Sequence, residues 1–376
     1  MRNNDLRSQS LDLLRFPLSV VIVIIHVFSA NGLILQDKHV NVNEYSFFLE
    51  VNHVIDGFLR GQSVPIYFFI SGFVFFLGVE GLTKEKYFQK LKNRAKTLLI
   101  PYIIWNFVAI LFLLVRLLPC FNGYLSYTDS TFNLSLSSFL SCFWMYDGNL
   151  NISGAGANTP SLFPLNFPLW FLRDLMIVVL CVPLLYWILK YTKYYFVLLL
   201  GLLWFVLSYW DIGYLNPLLC AFFFFSWGTY MSINKKDMLI EFGRFFKISI
   251  FLYPLLALLY IISMHFCPNM SGMIKELNVF VGLLFAYNLA AYLLRRNYCK
   301  VNSFLASASF FIFISHGLIG ARLVKVFYLL IMPASNIALL MVYFLSTLFT
   351  ILLLLFIFSV LRRYTPTFLK VIAGRK

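Results

Sequence analysis

Charge is what this chain has least of. Only 12% of its 376 residues are Asp, Glu, Lys or Arg, against 61% hydrophobic. A soluble domain of this size could not hide so much apolar surface, so the composition predicts a polytopic membrane protein. Acid is scarcer than base, 15 residues against 30, which leaves a net charge of +15. That excess does not mark a nucleic-acid partner, because nearly all the basic residues sit in short loops between apolar runs, where they act as topology signals. The six cysteines form no CxxC pair and show no metal-ligand spacing, so no metal is expected. Also missing are a phosphate-cradling Gly-rich loop, an HExxH helix and a Gly-x-Ser-x-Gly elbow, which removes the usual signatures of nucleotide hydrolysis, zinc proteolysis and serine esterolysis.

What is there is a succession of apolar runs, near residues 9–30, 64–82, 98–118, 168–189, 194–210, 214–233, 247–264, 276–294, 303–321 and 338–361. The expectation is an all-α bundle of about ten transmembrane helices forming one domain over residues 1–376. With the N-terminus inside, the inner segments take Arg2 and Arg7, the Lys84–Lys96 cluster, Lys190 and Lys193, Lys235 to Lys247, Arg295 to Lys300, and the Arg362–Lys376 tail. The positive-inside rule is then satisfied with both termini cytoplasmic. The charged stripe in the first run and the lack of a small-residue cleavage site predict a retained helix, not a removed signal. The short tail after the last run leaves no room for an appended soluble domain. Residues 36–63 and 119–167 become extracytoplasmic. The first carries an amphipathic stretch, EYSFFLEVNHVIDGFLR. The second lacks Lys and Arg, holds Cys120 and Cys142 as a candidate pair, and is rich in Ser, Asn, Gly and aromatics that suit sugar recognition or simply a long loop.

The first run is the most informative. Leu11–Ser29, LDLLRFPLSVVIVIIHVFS, places Asp12, Arg15 and His26 within a membrane-length helix. An ionisable side chain there is costly and reads as functional when it faces the protein interior. The eleven residues from Arg15 to His26 are almost three helical turns, so both lie on one stripe about 16 Å apart along the axis. His26 reads either as a general base near neutral pH or as an interhelical hydrogen-bonding group. Arg15 reads as a phosphate contact or as a snorkelling topology charge, with Asp12 one turn away to neutralise it.

Arg15, ten intervening residues and His26, on a first span opening LDLLR, resemble the signature of the acyltransferase-3 family. Four further stretches are similar and fall in the family's order: PIYFFISGF (Pro65–Phe73), RAKTLLIPYIIWN (Arg94–Asn106), PLWFLRDL (Pro168–Leu175) and FFIFISHGLI (Phe310–Ile319). The resemblance implies an integral-membrane O-acyltransferase of the bacterial inner membrane, moving an acyl group, most often acetyl, from acyl-CoA (acetyl-CoA) to a hydroxyl of a surface glycan or lipid-linked sugar. It implies His26 as base, Arg15 on the same helix as a second catalytic and CoA-binding residue, and a CoA-contacting Arg-x-x-Arg. Here Arg94 fills the first position of that motif and Thr97 the second, with Lys96 as a candidate replacement.

The remaining candidates stay open on the sequence. Arg173 could stabilise an oxyanion or tether helices through Asp174, and Trp170, Asp174 and His316 could bind the acceptor. Ser71 and Gly72 read as a close-packing point of helices. The partners expected are acyl-CoA, a glycan acceptor and the bilayer. A transporter or flippase for a polysaccharide precursor is the alternative, since intramembrane charge and many spans fit it too. The sequence favours the enzyme because the basic cluster and the imidazole fall at opposite ends of the span.

Overall fold

The fold is taken from a computed structural model, which describes residues 3–29, 32–35, 38–60, 63–116, 135–145, 162–210 and 215–374. Cys120, and with it the expected pairing to Cys142, lies outside these residues, as does most of 119–167.

The described chain is helical apart from one hairpin. Helix α1 (Asn3–Phe28) leads to strands β1 (Gly32–Leu35) and β2 (Lys38–Asn41), antiparallel with Leu33 opposite Val40. There follow α2 (Ser46–Ile55), α3 (Ser63–Phe76), α4 (Lys84–Arg94), α5 (Ile100–Arg116) and α6 (Leu136–Ser141). Next come α7 (Trp170–Leu180), α8 (Val182–Thr192), α9 (Tyr194–Leu207), α10 (Leu215–Ile233) and α11 (Met238–Glu241). The chain continues with α12 (Phe246–Phe266), α13 (Pro268–Arg295), α14 (Ser303–Ile331), α15 (Asn336–Tyr364) and α16 (Pro366–Ile372).

Among the described residues, seven helices are long and apolar enough to cross a membrane: Asp5–Phe28, Ser46–Phe76, Lys84–Phe112, Met238–Phe266, Pro268–Arg295, Ser303–Ile331 and Asn336–Tyr364. The expected 168–189 span is a helix pair bent by 63° at Cys181, and counting it as one span gives eight. Pro183 explains the break: it has no N–H to offer the carbonyl of Val179, so α7 cannot run on into α8. The expected spans at 194–210 and 214–233 correspond to α9, which has 14 residues, and α10, which has 19 and carries Asn216, Ser226, Thr229 and Ser232 among its aromatics. Two wide π turns, Asp56–Arg60 and Ala95–Leu99, interrupt otherwise long helices. Because α4 continues through the second of them, Arg94 and Lys96 lie on helix and not in a loop.

The residues fall into two compact units, and the chain passes between them inside α1 and inside α14. The first comprises Met1–Ile22, His53–Arg94 and Asp174–Ser309. Its closest contact is between α3 and α10. A Cβ on Gly72 would lie 2.1 Å from the Phe225 carbonyl oxygen, and one on Gly228 would lie 2.1 Å from that of Phe69. Only glycines permit this approach, which is how membrane helices gain contact where no hydrophobic drive separates protein from lipid.

The second unit comprises Val23–Asn52, Ala95–Arg173 and Phe310–Lys376. Here α16 folds back on α5: Trp105 Nε1 donates to the Ile372 carbonyl at 3.0 Å, and Gly374 takes φ +58° where a Cβ would strike the Thr97 carbonyl. The end of α1 is pinned by aromatic packing. Phe28, Phe48 and Tyr343 are all fully buried, with centroids 5.4 Å apart for Phe28–Tyr343 and 4.6 Å for Phe48–Tyr343. Asn336 Oδ1 accepts from the Phe48 N–H at 3.1 Å, tying α2 to the start of α15. His26, two residues before Phe28, is therefore held on a fixed stretch of helix.

Candidate active site

His26 and His316 meet inside the second unit. His316 on α14 is 1% exposed, and its Nε2 lies 2.9 Å from Nδ1 of His26, which is half-buried. The sequence placed these two rings at similar depth; the fold brings them into contact.

Donor and acceptor counting then assigns the protons. Nδ1 of His316 lies 2.7 Å from the Phe313 carbonyl and 3.2 Å from that of Ile312. Carbonyls only accept, so that nitrogen carries the hydrogen. With both imidazoles neutral, Nε2 of His316 holds a lone pair and must accept from Nδ1–H of His26. The basic lone pair of His26 is thereby fixed on Nε2. This is a second-residue orientation device of the kind that holds a general base in one tautomer.

Two glycines one turn apart on α14 make the contact possible. A Cβ on Gly320 would sit 3.0 Å from Val27 Cγ2, so α1 and α14 are already at touching distance there. A Cβ on Gly317 would meet Pro168 Cγ at 2.8 Å and Asn166 Oδ1 at 3.2 Å, so the Phe167–Leu169 turn lies directly against the helix. Asn166, 2% exposed, holds that turn in place. Its backbone N–H donates to Asn106 Oδ1 at 3.2 Å, and its Nδ2 donates to the Ile314 carbonyl at 3.3 Å. Asn106 is itself buried and donates to the Tyr102 carbonyl at 3.0 Å. Phe167 presents its ring edge-on to His26, centroids 5.5 Å apart, and Phe163 packs on Phe167 at 4.6 Å.

Beside the histidine lies a cavity of about 200 Å³. Ala109, Leu165, Pro168 and Leu318 supply apolar wall; His26, Asn166 and Arg322 supply the polar groups. Drug-sized pockets run to roughly 300–1,000 Å³, so this one has the scale of a single sugar ring or a short acyl chain. Asn166 Oδ1 is buried without a hydrogen-bond partner among the described residues. An unfilled buried acceptor costs about 1–3 kcal/mol, and at a cavity edge a ligand hydroxyl is the natural donor to it.

The other expected site residues lie elsewhere. Arg173 is 2% exposed, and its Nη1 donates to the carbonyls of Trp144 at 2.6 Å and Leu162 at 3.0 Å while its guanidinium stacks over the Trp144 ring. It ties Trp144 and Leu162 to α7 and is not among the cavity-lining residues. Asp174 is fully buried, and Trp170 is half-buried with its ring 6.1 Å from Phe163. In the first unit Arg15 pairs with Asp12 at 3.2 Å, both side chains partly exposed, and Tyr67 donates to the Arg15 carbonyl at 2.8 Å. Arg94 is half-buried at the end of α4 and Lys96 is exposed.

Sequence reasoning missed Asn166, Asn106, Arg322 and the glycine pair. Gly317 and Gly320, three apart on one helix right after His316, were a legible small-residue signal. Asn166 before Pro168 reads only as a turn residue until the cavity is seen.

Helices of membrane length, with an oriented imidazole pair beside a small, half-polar cavity, define a multi-pass membrane protein. The acyltransferase-3 family profile, described as an acyltransferase domain, matches residues 8–359. The chain belongs to this family. It is also 32% identical over 142 residues to the succinoglycan biosynthesis protein ExoH of Rhizobium meliloti (strain 1021). That alignment takes in 37% of this chain and spans about a third, 32%, of the relative's length. No solved structure matches the chain.

Proposed function

We propose that the protein transfers an acyl group, acetyl in the simplest case, from acyl-CoA to a hydroxyl of a surface glycan or lipid-linked sugar, with His26 as general base. The observation that carries this reading is the oriented imidazole pair at a cavity of single-sugar scale. Family membership supplies the acyl chemistry, and the similarity to ExoH, a succinoglycan biosynthesis protein, supports a glycan acceptor.

In this reading the acceptor hydroxyl donates to His26 Nε2, and its oxygen attacks the thioester carbonyl. The proton passes to Nε2 as the C–O bond forms. The charge that develops on His26 is shared through Nδ1–H with the lone pair on His316. Collapse of the tetrahedral intermediate breaks the C–S bond, and the CoA thiolate recovers the proton from Nε2. One hydroxyl and one thioester become one ester and one thiol. Asn166 Oδ1 orients the acceptor, and Phe167, backed by Phe163, offers its ring to the sugar. His316 acts as a positioning residue, and Arg173 supports the segment that holds Phe163.

Arg15, Arg94 and Lys96 are proposed phosphate contacts for CoA, on a face made cytoplasmic by the positive-inside distribution, in the inner membrane of a bacterium with both termini inside. Arg94→Ala should weaken acyl-CoA binding by roughly tenfold, the worth of one hydrogen bond to a charged group. Equilibrium binding to the purified protein tests this, and an unchanged affinity would move the donor site away from Arg94.

The test of the reading as a whole is His26→Gln, which keeps polarity and approximate volume but cannot take a proton near neutral pH. Mass spectrometry of surface glycans should show acylation lost. Retained acylation would place the base elsewhere. Glycan export that failed in every variant, with no acylated product even from the wild type, would return the transporter reading.

A further inference from the structure

Arg322 is the cation of the cavity, and nothing in the reaction above uses it. It stands six residues beyond His316 on α14, a rise of about 9 Å, and lines the same cavity as His26. Its guanidinium is aimed, not left to snorkel. Nη1 donates to the Leu318 carbonyl one turn back, and the group lies over the Phe112 ring, 4.9 Å from the centroid. Among the described residues that line the cavity none is acidic. The cavity wall therefore carries two accepting atoms, His26 Nε2 and Asn166 Oδ1, together with the positive charge of Arg322. In a half-buried, largely apolar wall, a guanidinium favours a carboxylate or phosphate that it can bind through two parallel N–H groups.

We propose that Arg322 makes this cavity selective for an anionic substrate, one that bears a carboxylate or phosphate within about one sugar ring of the reacting hydroxyl or thioester. The proposal rests on the acyl-transfer reading above. The same chemistry has two sources. The charge lies on the acceptor, as a uronate or a phosphorylated sugar, or on the donor, as a dicarboxylic acyl group. With a volume of about 200 Å³, the cavity admits one ring with its charged substituent and excludes a long glycan.

The experiment compares surface glycans by mass spectrometry from cells carrying the wild type, Arg322→Gln, Arg322→Lys and His26→Gln, with each variant's elution in detergent as a folding control. The wild-type product is expected to carry an anionic group on the acylated sugar or on the acyl chain, and which of the two it is identifies the source. Arg322→Gln should lower that acylation at least about tenfold, the loss of a charge-assisted contact, with Arg322→Lys intermediate because an ammonium keeps the charge and loses the fork. A neutral acyl group on a neutral sugar overturns the proposal, as does a folded Arg322→Gln protein with wild-type product. The His26→Gln arm keeps the two ideas apart: undiminished product there removes the base and leaves the Arg322 result standing on its own.

Discussion

At the scale of single residues, the proposed chemistry depends on which nitrogen of His26 holds the lone pair, and the contact with His316 decides that. The sequence identified both histidines, because an imidazole in a membrane-length apolar run is rarely without purpose. It could not show that they touch, since 290 residues separate them. It also left open whether Arg173 stabilises an oxyanion or tethers helices and whether His316 binds the acceptor, and the geometry separates the two: Arg173 Nη1 donates to two carbonyls, whereas His316 Nε2 meets His26 Nδ1. His316→Phe should therefore lower kcat by one to two orders of magnitude, up to the lower end of the roughly 10²–10⁴-fold attributed to a general base, while KM for the acceptor stays close to wild type. A residue that merely filled space would alter expression or KM instead. Steady-state kinetics on reconstituted protein separates these outcomes. The proposed base must also be unprotonated to act, so activity should fall as the medium is acidified, and a flat profile would exclude an imidazole base.

At the scale of elements, the site is a matter of how closely α1, α14 and the Phe167–Leu169 turn approach. Gly320 is the sharpest probe, because a Cβ there already stands 3.0 Å from Val27. Gly320→Val should push α14 from α1, break the 2.9 Å imidazole contact and reduce acyl transfer at least tenfold, an overpacking change that costs typically about 1–3 kcal/mol. Gly320→Ala should be milder. Thermal unfolding in detergent, run beside the activity assay, checks that the protein remains assembled. Element ends were less legible than element existence. Hydropathy marks where a chain is apolar, not where it is helical, so α4 begins at Lys84, well before the apolar run near residue 98. The break at Cys181 was in principle readable from Pro183, but an uninterrupted apolar run masked it. The hairpin of β1 and β2 left no clear period in four-residue strands.

At the scale of the whole molecule, the membrane class and the family were legible because they rest on composition and on five motifs in fixed order, neither of which needs three-dimensional contact. The orientation rests on basic residues alone. Single cysteines introduced for membrane-impermeant labelling should react from outside within 119–167 and only after permeabilisation within 84–96; the reverse pattern would invert the donor and acceptor faces. What the sequence lacked was the cavity itself, because Asn106, Asn166, Gly317 and Arg322 lie on three separate stretches and acquire meaning only together. The central claim is that an acyl group crosses from CoA to a sugar hydroxyl at His26. The most direct measurement supplies isotopically labelled acetyl-CoA to the cytoplasmic face of membrane vesicles holding the protein and its native glycan, and follows the label by mass spectrometry. Label should enter an ester on the glycan with wild-type protein and fall at least about a hundredfold with His26→Gln. Label transfer by the His26→Gln protein at the wild-type rate would contradict the account.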